Sequence, residues 1–398
     1  MGVFGSNVLT TDGDHWARQR KVVATVINER ISKAVFNESV TQTQGLLEEL
    51  SAQQGSDGVA ETNQLFTWAK KVAINVLSAA GMGAPVPWDD NTDDRPKPGF
   101  KKTYIQSVKK VIESVAGPII LPLWFLRNYP SFLPAHQFMR ELGIAKTEFP
   151  IHTKDLLEKE RIRSQTEGSA TKSNVLSQLL QASEQPLDAD TKSTKSGSTK
   201  ALSDEELVGN LFIFTAAGFD TTANTLSYAF VLLARHPHWQ TWILSEIDAI
   251  VPASPSQHLD YTAVYPKVVR ILAFMYETLR IFTPLVHISK QAQQAQTIPT
   301  SKGTYFLPAN TTVYIDTIAL HGDPGLWRGL NAQPDEVIEA EDEWVFRPSR
   351  WIDAQGKLFQ PPRGSYVPWS MGPRVCPGMK MAMVEFVAVL VTLLRGHR

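Results

Sequence analysis

The stretch Tyr366-Val-Pro-Trp-Ser-Met-Gly-Pro-Arg-Val-Cys-Pro-Gly-Met379 contains the only cysteine of a 398-residue chain. A single cysteine excludes an intrachain disulfide and a four-cysteine zinc site. Three interpretations of Cys376 remain: a buried small apolar side chain, a nucleophile, or a single thiolate ligand. A buried apolar side chain is the usual interpretation of an isolated cysteine. The other two interpretations therefore need support from the neighbouring residues.

The neighbours of Cys376 favour a metal-bound thiolate. Gly372 and Gly378 allow the backbone to pass close to a bulky flat group, and the flanking prolines stiffen the loop. Arg374 places a positive charge two residues from the sulfur. An apolar helical pattern over 379–394 follows directly, and a cysteine at a helix N-terminus is biased toward the thiolate. Such a thiolate is what a haem iron takes as an axial ligand. A nucleophile would need a nearby histidine, which nothing in the sequence places there.

The composition is that of an ordinary globular protein, with 43% hydrophobic residues, 20% charged residues and a net charge of −1. No basic stripe indicates a nucleic-acid partner. The sequence shows no secretory signal and no apolar run long enough to span a membrane. The segment that comes nearest to a membrane-spanning run is 115–126, which is interrupted by Pro118 and Pro122. It is either a buried junction between a loop and a helix or a peripheral contact with a bilayer.

Helical periodicity dominates the chain and weakens only after Pro284. Ser203-Asp-Glu-Glu206 predicts a capping box, with Ser203 at the N-cap of a long apolar helix. Short strand patterns follow at 285–289 and 311–316, and the polar segment 185–200 is predicted to be a mobile surface connection. We therefore expect a mainly α (α+β) fold in a single domain over 1–398. The predicted helices cover 16–29, 36–50, 64–80, 151–165, 204–235, 238–250 and 266–282.

A buried ion-pair cluster is predicted from two motifs. In Glu277-Thr-Leu-Arg280 the charged residues share one face of an otherwise apolar helix. In Phe346-Arg-Pro-Ser-Arg-Trp351, Arg350 lies between apolar residues and would need a carboxylate partner. Glu277 is the natural candidate, which gives an Arg–Glu–Arg triad. The alternatives are a solvated helix pair and an arginine in a surface loop.

Two further motifs carry polar groups suited to a ligand. In Ala216-Ala-Gly-Phe-Asp-Thr-Thr222 the poor helix formers should distort the long helix locally. Thr221 is placed to hydrogen-bond an oxygen species and Asp220 to relay protons to it, unless the run is only a tolerated kink. Trp16 and Arg20 share a helix face, and their N–H donors suit a carboxylate or phosphate. The alternative is a basic surface helix.

Taken in order, the motifs resemble those of a cytochrome P450: W-x-x-x-R, A-G-x-D-T, E-x-x-R, P-x-R, and a cysteine loop of the form F-x-x-G-x-R-x-C-x-G. The resemblance extends from Gly2 to about Leu394. The sequence of the cysteine loop is most similar to that of fungal members of the family. Trp369 stands where the family usually has Phe, and Ser349 where it usually has Glu. The resemblance implies the P450 fold, with a long central helix and a small β-sheet region.

The resemblance also implies roles for individual residues. Cys376 would be the proximal thiolate ligand of the iron of haem b. Asp220 and Thr221 would manage proton delivery during oxygen activation. The haem propionates would be bound by Trp16, Arg20, His287 and Arg374. The structural triad would consist of Glu277, Arg280 and Arg350.

The implied activity is a monooxygenase that inserts one oxygen atom from O2 into a small lipophilic substrate of secondary-metabolite type. Electrons would come from NADPH through NADPH–cytochrome P450 reductase, docked on a basic face formed by Arg18, Lys21 and Lys380. Fungal members are anchored in the endoplasmic reticulum membrane. Against the family pattern, this sequence is expected to lack the N-terminal anchor, the first sheet and the C-terminal sheet, and so to be cytosolic or peripheral. The alternative is a truncated remnant without monooxygenase activity.

Overall fold

The computed structural model describes residues 4–56, 58–89, 95–114, 120–167, 174–184, 201–251, 258–332 and 337–395. The predicted mobile connection 185–200 and the first part of the apolar segment, 115–119, lie outside them. The chain divides into two compact units. Unit 1 comprises Met1–Asn224, Val251–Pro266 and Pro377–Arg398, and unit 2 comprises Thr225–Ile250 and Lys267–Cys376. The single domain over 1–398 stays a prediction.

Helices make up most of the described chain, as predicted. They are α1 Gly13–Val26, α2 Glu29–Ala52, α3 Leu65–Val76, α4 Tyr104–Glu113, α5 Leu123–Arg127, α6 His136–Glu167, α7 Val175–Glu184, α8 Asp204–Arg235, α9 Pro237–Ile250, α10 Tyr261–Val264, α11 Arg270–Ile281, α12 Thr317–His321, α13 Pro324–Trp327 and α14 Met379–Arg395. A π-helical turn, Leu77–Gly81, extends α3. The sequence did not predict α4, α5 and α7, and α6 begins well before the predicted residue 151.

The long helix α8 begins at the predicted capping box. The Ser203 hydroxyl accepts from the Glu206 N–H at 3.2 Å, and the Glu206 carboxylate accepts from the Ser203 N–H at 2.9 Å. The helix continues without a break to Arg235 through Gly218, and the predicted local distortion within it stays a prediction. Its polar side chains are accommodated within the helix: the hydroxyl of Thr221 donates to the carbonyl of Ala217 four residues back, at 2.7 Å.

Unit 1 is held together by apolar helix packing. Helix α14 lies along α2, and α4 lies along α6. Apart from Glu385 and Thr392, the buried run of α14 from Val384 to Leu394 is apolar. Burial of this kind stabilises a fold by about 25 cal/mol per Å² of apolar surface removed from water.

Unit 2 contains two small antiparallel sheets. Strand β1 (His287–Gln291) pairs with β4 (Thr312–Asp316), and β2 (Gln296–Thr300) pairs with β3 (Gly303–Leu307) as a hairpin. The two predicted strand segments thus pair with each other, placing His287 opposite Asp316. The hairpin was not predicted because its residues are almost all exposed and lack a clear alternation of apolar and polar side chains.

A buried charge cluster lies at the centre of unit 2. The Glu277 carboxylate is fully buried and accepts five hydrogen bonds. The donors are Arg280 Nε at 2.8 Å and Nη2 at 2.9 Å, Arg350 Nε at 3.0 Å, the Arg347 backbone N–H at 2.9 Å and the Trp351 indole N–H at 2.9 Å. Burial acts to raise the pKa of Glu277, but Arg280 and Arg350 outweigh it and lower the pKa to about 2.

A second carboxylate, which the sequence analysis missed, completes the cluster. Asp342 accepts from Arg347 Nε at 3.0 Å and from Arg350 Nη1 at 3.2 Å. The remaining donors of Arg350 reach the carbonyls of Trp327 at 2.5 Å, Asp342 at 2.7 Å and Val345 at 3.0 Å. Each donor nitrogen of this buried guanidinium therefore has a partner, which is the condition for placing such a charge in a protein interior.

The charge of Glu277 should be essential to unit 2. We expect Glu277→Gln to lower the free energy of unfolding by about 3–5 kcal/mol, because two buried guanidinium groups lose their carboxylate. Because the pKa is lower in the folded state, this contribution is complete above the ordinary value of 4.5 and is lost as pH falls toward about 2. Denaturant unfolding measures both effects.

A matched control is Asp155→Asn, which removes the carboxylate of the exposed Lys159–Asp155 pair on α6. We expect it to change stability by no more than about 1 kcal/mol. Equal losses in the two variants would contradict the central role of Glu277.

Helix α14 contains a carboxyl group that should be neutral at pH 7. Glu385 is 7% exposed, and its Oε1 has no hydrogen-bond partner among the described residues. Burial raises its pKa to about 8. The unfolded chain ionises near 4.5, so folding stability should fall with rising pH between about 4.5 and 8, by up to about 1.4 kcal/mol per pH unit.

Glu385→Gln should remove this slope and add only a constant offset from its buried amide. The measurement is the difference in unfolding free energy between the two proteins from pH 5 to pH 9. A difference that stays constant over this range would show that Glu385 is not a buried neutral acid.

Candidate functional site

The cysteine loop of unit 2 is a closed, hydrogen-bonded turn. The Cys376 N–H donates to the Trp369 carbonyl at 2.8 Å, and the Val375 N–H donates to the Gly372 carbonyl at 3.1 Å. Gly372 has a φ of 73°, and an added Cβ would meet nothing within 4 Å. Glycine is therefore favoured there by backbone conformation and not by lack of space. The loop leaves Cys376 exposed, in contrast to the buried cysteine that is the default for an isolated residue.

The start of the loop is fastened to helix α11. The Tyr366 hydroxyl donates to the Tyr276 carbonyl at 3.0 Å, and the Tyr366 ring lies 4.5 Å from that of Trp351. The Trp369 ring meets Tyr276 edge to face at 5.6 Å. Because α11 also carries Glu277, the backbone that positions Cys376 is tied to the buried charge cluster.

Two of the predicted propionate-binding residues lie in unit 2 with Cys376. Arg374 is half-buried in the 3₁₀ turn Gly372–Arg374. His287 begins β1 and is exposed, with its ring edge-on to Tyr314 at 6.5 Å. The predicted triad is also in this unit, and the structure brings Glu277, Arg280 and Arg350 into one hydrogen-bonded cluster.

Unit 1 carries the other predicted residues. Trp16 and Arg20 are both half-buried on α1. Arg20 has no hydrogen-bond or ion-pair partner within the described residues, so its charge is available to a ligand. Arg18 differs: it binds the carboxylate of Glu206, with Nη1 to Oε2 at 3.0 Å. Arg18 is therefore not part of an open basic face, and that expectation is wrong.

Asp220 and Thr221 are both exposed on helix α8, whereas Phe219, Thr222 and Ala223 are buried. The helix thus packs one face into unit 1 and presents the predicted acid and alcohol on the other. The Thr221 hydroxyl donates to the Ala217 carbonyl, which fixes the orientation of its oxygen.

Sequence reasoning missed residues that support the site without belonging to its motifs. Arg347 was visible within the Phe346–Trp351 motif, but nothing marked its backbone N–H as a donor to Glu277. Asp342 and His321 lie in segments with no recognisable pattern. His321 is buried, and its imidazole accepts from the Val367 N–H at 3.0 Å.

The donor set fits a haem better than a bare metal ion. Within the described ranges, no group of three or more His, Cys, Asp or Glu side chains is placed to hold a metal. The iron of a porphyrin brings its other ligands with it, so a single protein thiolate such as that of Cys376 suits it as a ligand. Among the described helices, none is both long and apolar enough to cross a membrane.

Comparisons with known proteins agree with this chemistry. The model of the family described as Cytochrome P450 matches residues 2–398. A Leptosphaeria maculans protein named phomenoic acid biosynthesis cluster cytochrome P450 monooxygenase is 41% identical, over 100% of this chain and 68% of its own length. Cytochrome P450 monooxygenase 124 of Postia placenta is 30% identical, over 99% of this chain and 69% of its own length.

The fold agrees as well. The crystal structure of the cytochrome P450DA heme domain superposes with a TM-score of 0.70 at 19% identity, covering 99% of this chain and 74% of that one. The mainly α fold with small sheets is therefore that of this structure. The family match over nearly the whole sequence, together with relatives named as monooxygenases, shows the class of enzyme. The chain belongs to the cytochrome P450 family, whose members are haem-containing monooxygenases.

Proposed function

We propose that this chain inserts one oxygen atom from O2 into a small lipophilic substrate, using electrons from NADPH delivered by a separate NADPH–cytochrome P450 reductase. The observation that carries the proposal is the exposed residue Cys376 on a hydrogen-bonded loop, in a member of a monooxygenase family. The relative from the phomenoic acid cluster, at 41% identity, supports a substrate of secondary-metabolite type.

Cys376 is proposed to bind the iron of haem b as a thiolate. Bound haem supplies the activation of molecular oxygen, which no protein side chain supplies alone. The loop holds the backbone of Cys376, because its N–H donates to the Trp369 carbonyl. The start of α14 favours the thiolate over the thiol, since helix N-termini stabilise negative charge.

Four residues are proposed to bind the haem propionates. A guanidinium offers several N–H donors in a planar fork, which suits a carboxylate. Arg20 supports this role because it has no protein partner among the described residues. An exposed imidazole and an indole N–H can each donate one further hydrogen bond. The proposed residues are Trp16, Arg20, His287 and Arg374.

Asp220 and Thr221 are proposed to deliver protons during the reaction. The carboxylate of Asp220 is exposed, and the adjacent hydroxyl oxygen of Thr221 can accept a hydrogen bond. The bond from Thr221 to the Ala217 carbonyl holds that oxygen in one rotamer. Glu277, Arg280 and Arg350 are proposed to act structurally, since all three are buried.

Reductase docking is proposed to use Lys21 and Lys380, both in unit 1. Lys21 is exposed, and the half-exposed Lys380 lies 3.5 Å from Glu29. Basic side chains of this kind steer an acidic partner and set the association rate more than the affinity.

An exposed apolar surface on unit 1 supports a peripheral membrane contact. Ile120, Trp124 and Phe132 are 75%, 68% and 84% exposed, although they are large apolar side chains. They lie in and just beyond the part of the predicted segment 115–126 that the structure describes. Exposed apolar residues clustered in one segment favour an interface with lipid or protein. We propose the endoplasmic reticulum membrane, where fungal members of the family reside.

The haem-loaded chain should show thiolate ligation. We expect the reduced, carbon monoxide-treated protein to give the strongly red-shifted Soret band of a thiolate-bound haem, and Cys376→Ser to lose it. NADPH-dependent oxygen consumption with an added reductase should disappear in the same variant. Haem-loaded parent without the red-shifted band, or a serine variant that keeps it, would refute the proposal.

The membrane contact can be tested by sedimentation with phosphatidylcholine–phosphatidylserine vesicles. We expect Trp124→Ser with Phe132→Ser to reduce the bound fraction several-fold, because each loses buried apolar contact with the lipid. The control is Val337→Ser, which removes an 85% exposed apolar side chain in unit 2. Equal binding by parent and the double variant would exclude this surface.

A further inference from the structure

A buried histidine lies between the charge cluster of unit 2 and the cysteine loop. His321 is the last residue of the five-residue helix α12 and is 1% exposed. Its carbonyl accepts from Arg280 Nη1 at 2.7 Å. Its ring accepts from the Val367 N–H through Nε2 at 3.0 Å and packs against Tyr366 at 5.2 Å. One residue therefore contacts both the partner of Glu277 and the start of the loop.

The hydrogen bond fixes the chemical form of the ring. Because Nε2 accepts, it carries no proton, so a neutral imidazole must carry its proton on Nδ1. Nδ1 makes no hydrogen bond within ordinary geometric limits among the described residues. Protonating Nε2 would direct two N–H groups at each other and end the contact with Val367.

The electrostatic surroundings keep the ring neutral. Burial is the main cause that lowers the pKa of His321, to about 4, and the Arg280 guanidinium acts in the same direction. The backbone of Arg280 and the Glu277 carboxylate act in the opposite direction but do not overcome burial. At neutral pH the ring is thus a permanent acceptor, unlike an exposed histidine.

The Val367 N–H controls the geometry of the loop that follows. Val367 is 2% exposed, and its carbonyl accepts from the Ser370 N–H at 3.0 Å. Trp369, between these two residues, provides the carbonyl that holds the Cys376 N–H at 2.8 Å. Three hydrogen bonds, linked by the short backbone segment Val367–Ser370, therefore connect the imidazole of His321 to the backbone N–H of Cys376.

We propose that His321 is a positioning residue that fixes the cysteine loop to the buried charge cluster and thereby holds the sulfur of Cys376 in place. The inference rests on the proposed role of Cys376 as a thiolate ligand. In this role His321 acts through Val367 and Trp369.

The chain offers substitutions that separate this role from general stability. His321→Gln keeps an amide oxygen close to the position of Nε2, so it can still accept from Val367. His321→Asn has nearly the same chemistry but reaches only to the position of Nδ1. Thr317→Val, in the same short helix, removes a buried hydroxyl that donates to the Leu285 carbonyl at 2.6 Å, with no bond to the cysteine loop.

Two measurements on the full chain test the proposal. Amide hydrogen exchange at Val367 and Cys376 reports the loop hydrogen bonds, and the red-shifted Soret band of the reduced carbon monoxide complex reports the thiolate. We expect His321→Asn to speed exchange at Val367 by about tenfold or more, as for loss of one buried hydrogen bond. It should also convert part of the haem to a form without the red-shifted band. His321→Gln and Thr317→Val should resemble the parent in both.

The proposal is overturned if His321→Asn leaves exchange and spectrum unchanged, or if His321→Gln and Thr317→Val are as defective as His321→Asn. If the haem-loaded parent itself lacks the red-shifted band, the proposed function has failed. The exchange data then still decide whether His321 holds the loop.

Discussion

The carboxylate of Glu277 is the interaction on which unit 2 depends. A buried negative charge is tolerated only when hydrogen bonds replace the water it has lost. Here the donors come from α11 itself, from the 3₁₀ turn Pro348–Trp351 and from the segment before that turn. Segments some seventy residues apart in sequence must therefore converge on two oxygen atoms before any of their charges is satisfied. This requirement selects one arrangement of the segments, whereas apolar packing alone tolerates several.

The cysteine loop is positioned by the same helix, α11, that carries Glu277. Its first residues contact Tyr276 of α11 through Tyr366 and Trp369, so the helix that carries Glu277 also supports the loop. The side chains expected to meet a ligand differ in character from this framework. Arg20, Asp220, Thr221 and His287 are half-buried or exposed. The chain thus combines a hydrogen-bonded buried charge cluster in unit 2 with polar side chains that are accessible at the surface, as a binding site requires.

Features set by nearby residues were predictable from the sequence. The capping box at Ser203 and Glu206 needs only a three-residue spacing. The pairing of Arg350 with Glu277, although distant in sequence, was also predictable, because a buried guanidinium needs a carboxylate partner. By contrast, Asp342 and His321 act through contacts that only the fold creates, since neither lies in a periodic or motif-bearing segment. The β2–β3 hairpin was missed for a related reason: its exposed strands carry no hydrophobic pattern that identifies a buried face. The unbroken course of α8 shows burial overriding the weak helix propensity of Gly218.

The carboxylate of Glu206 accepts hydrogen bonds from two helices, the N-terminus of its own helix α8 and the helix α1. It caps the N-terminus of α8 through Ser203 and also receives Arg18 and Gln19 from α1. The helix that carries Trp16 and Arg20 is thereby fastened to the start of the helix that carries Asp220 and Thr221. A substitution of Glu206 would remove the cap of α8 and would also remove the carboxylate partner of the half-buried Arg18. Positions 18, 203 and 206 should therefore change together over evolutionary time.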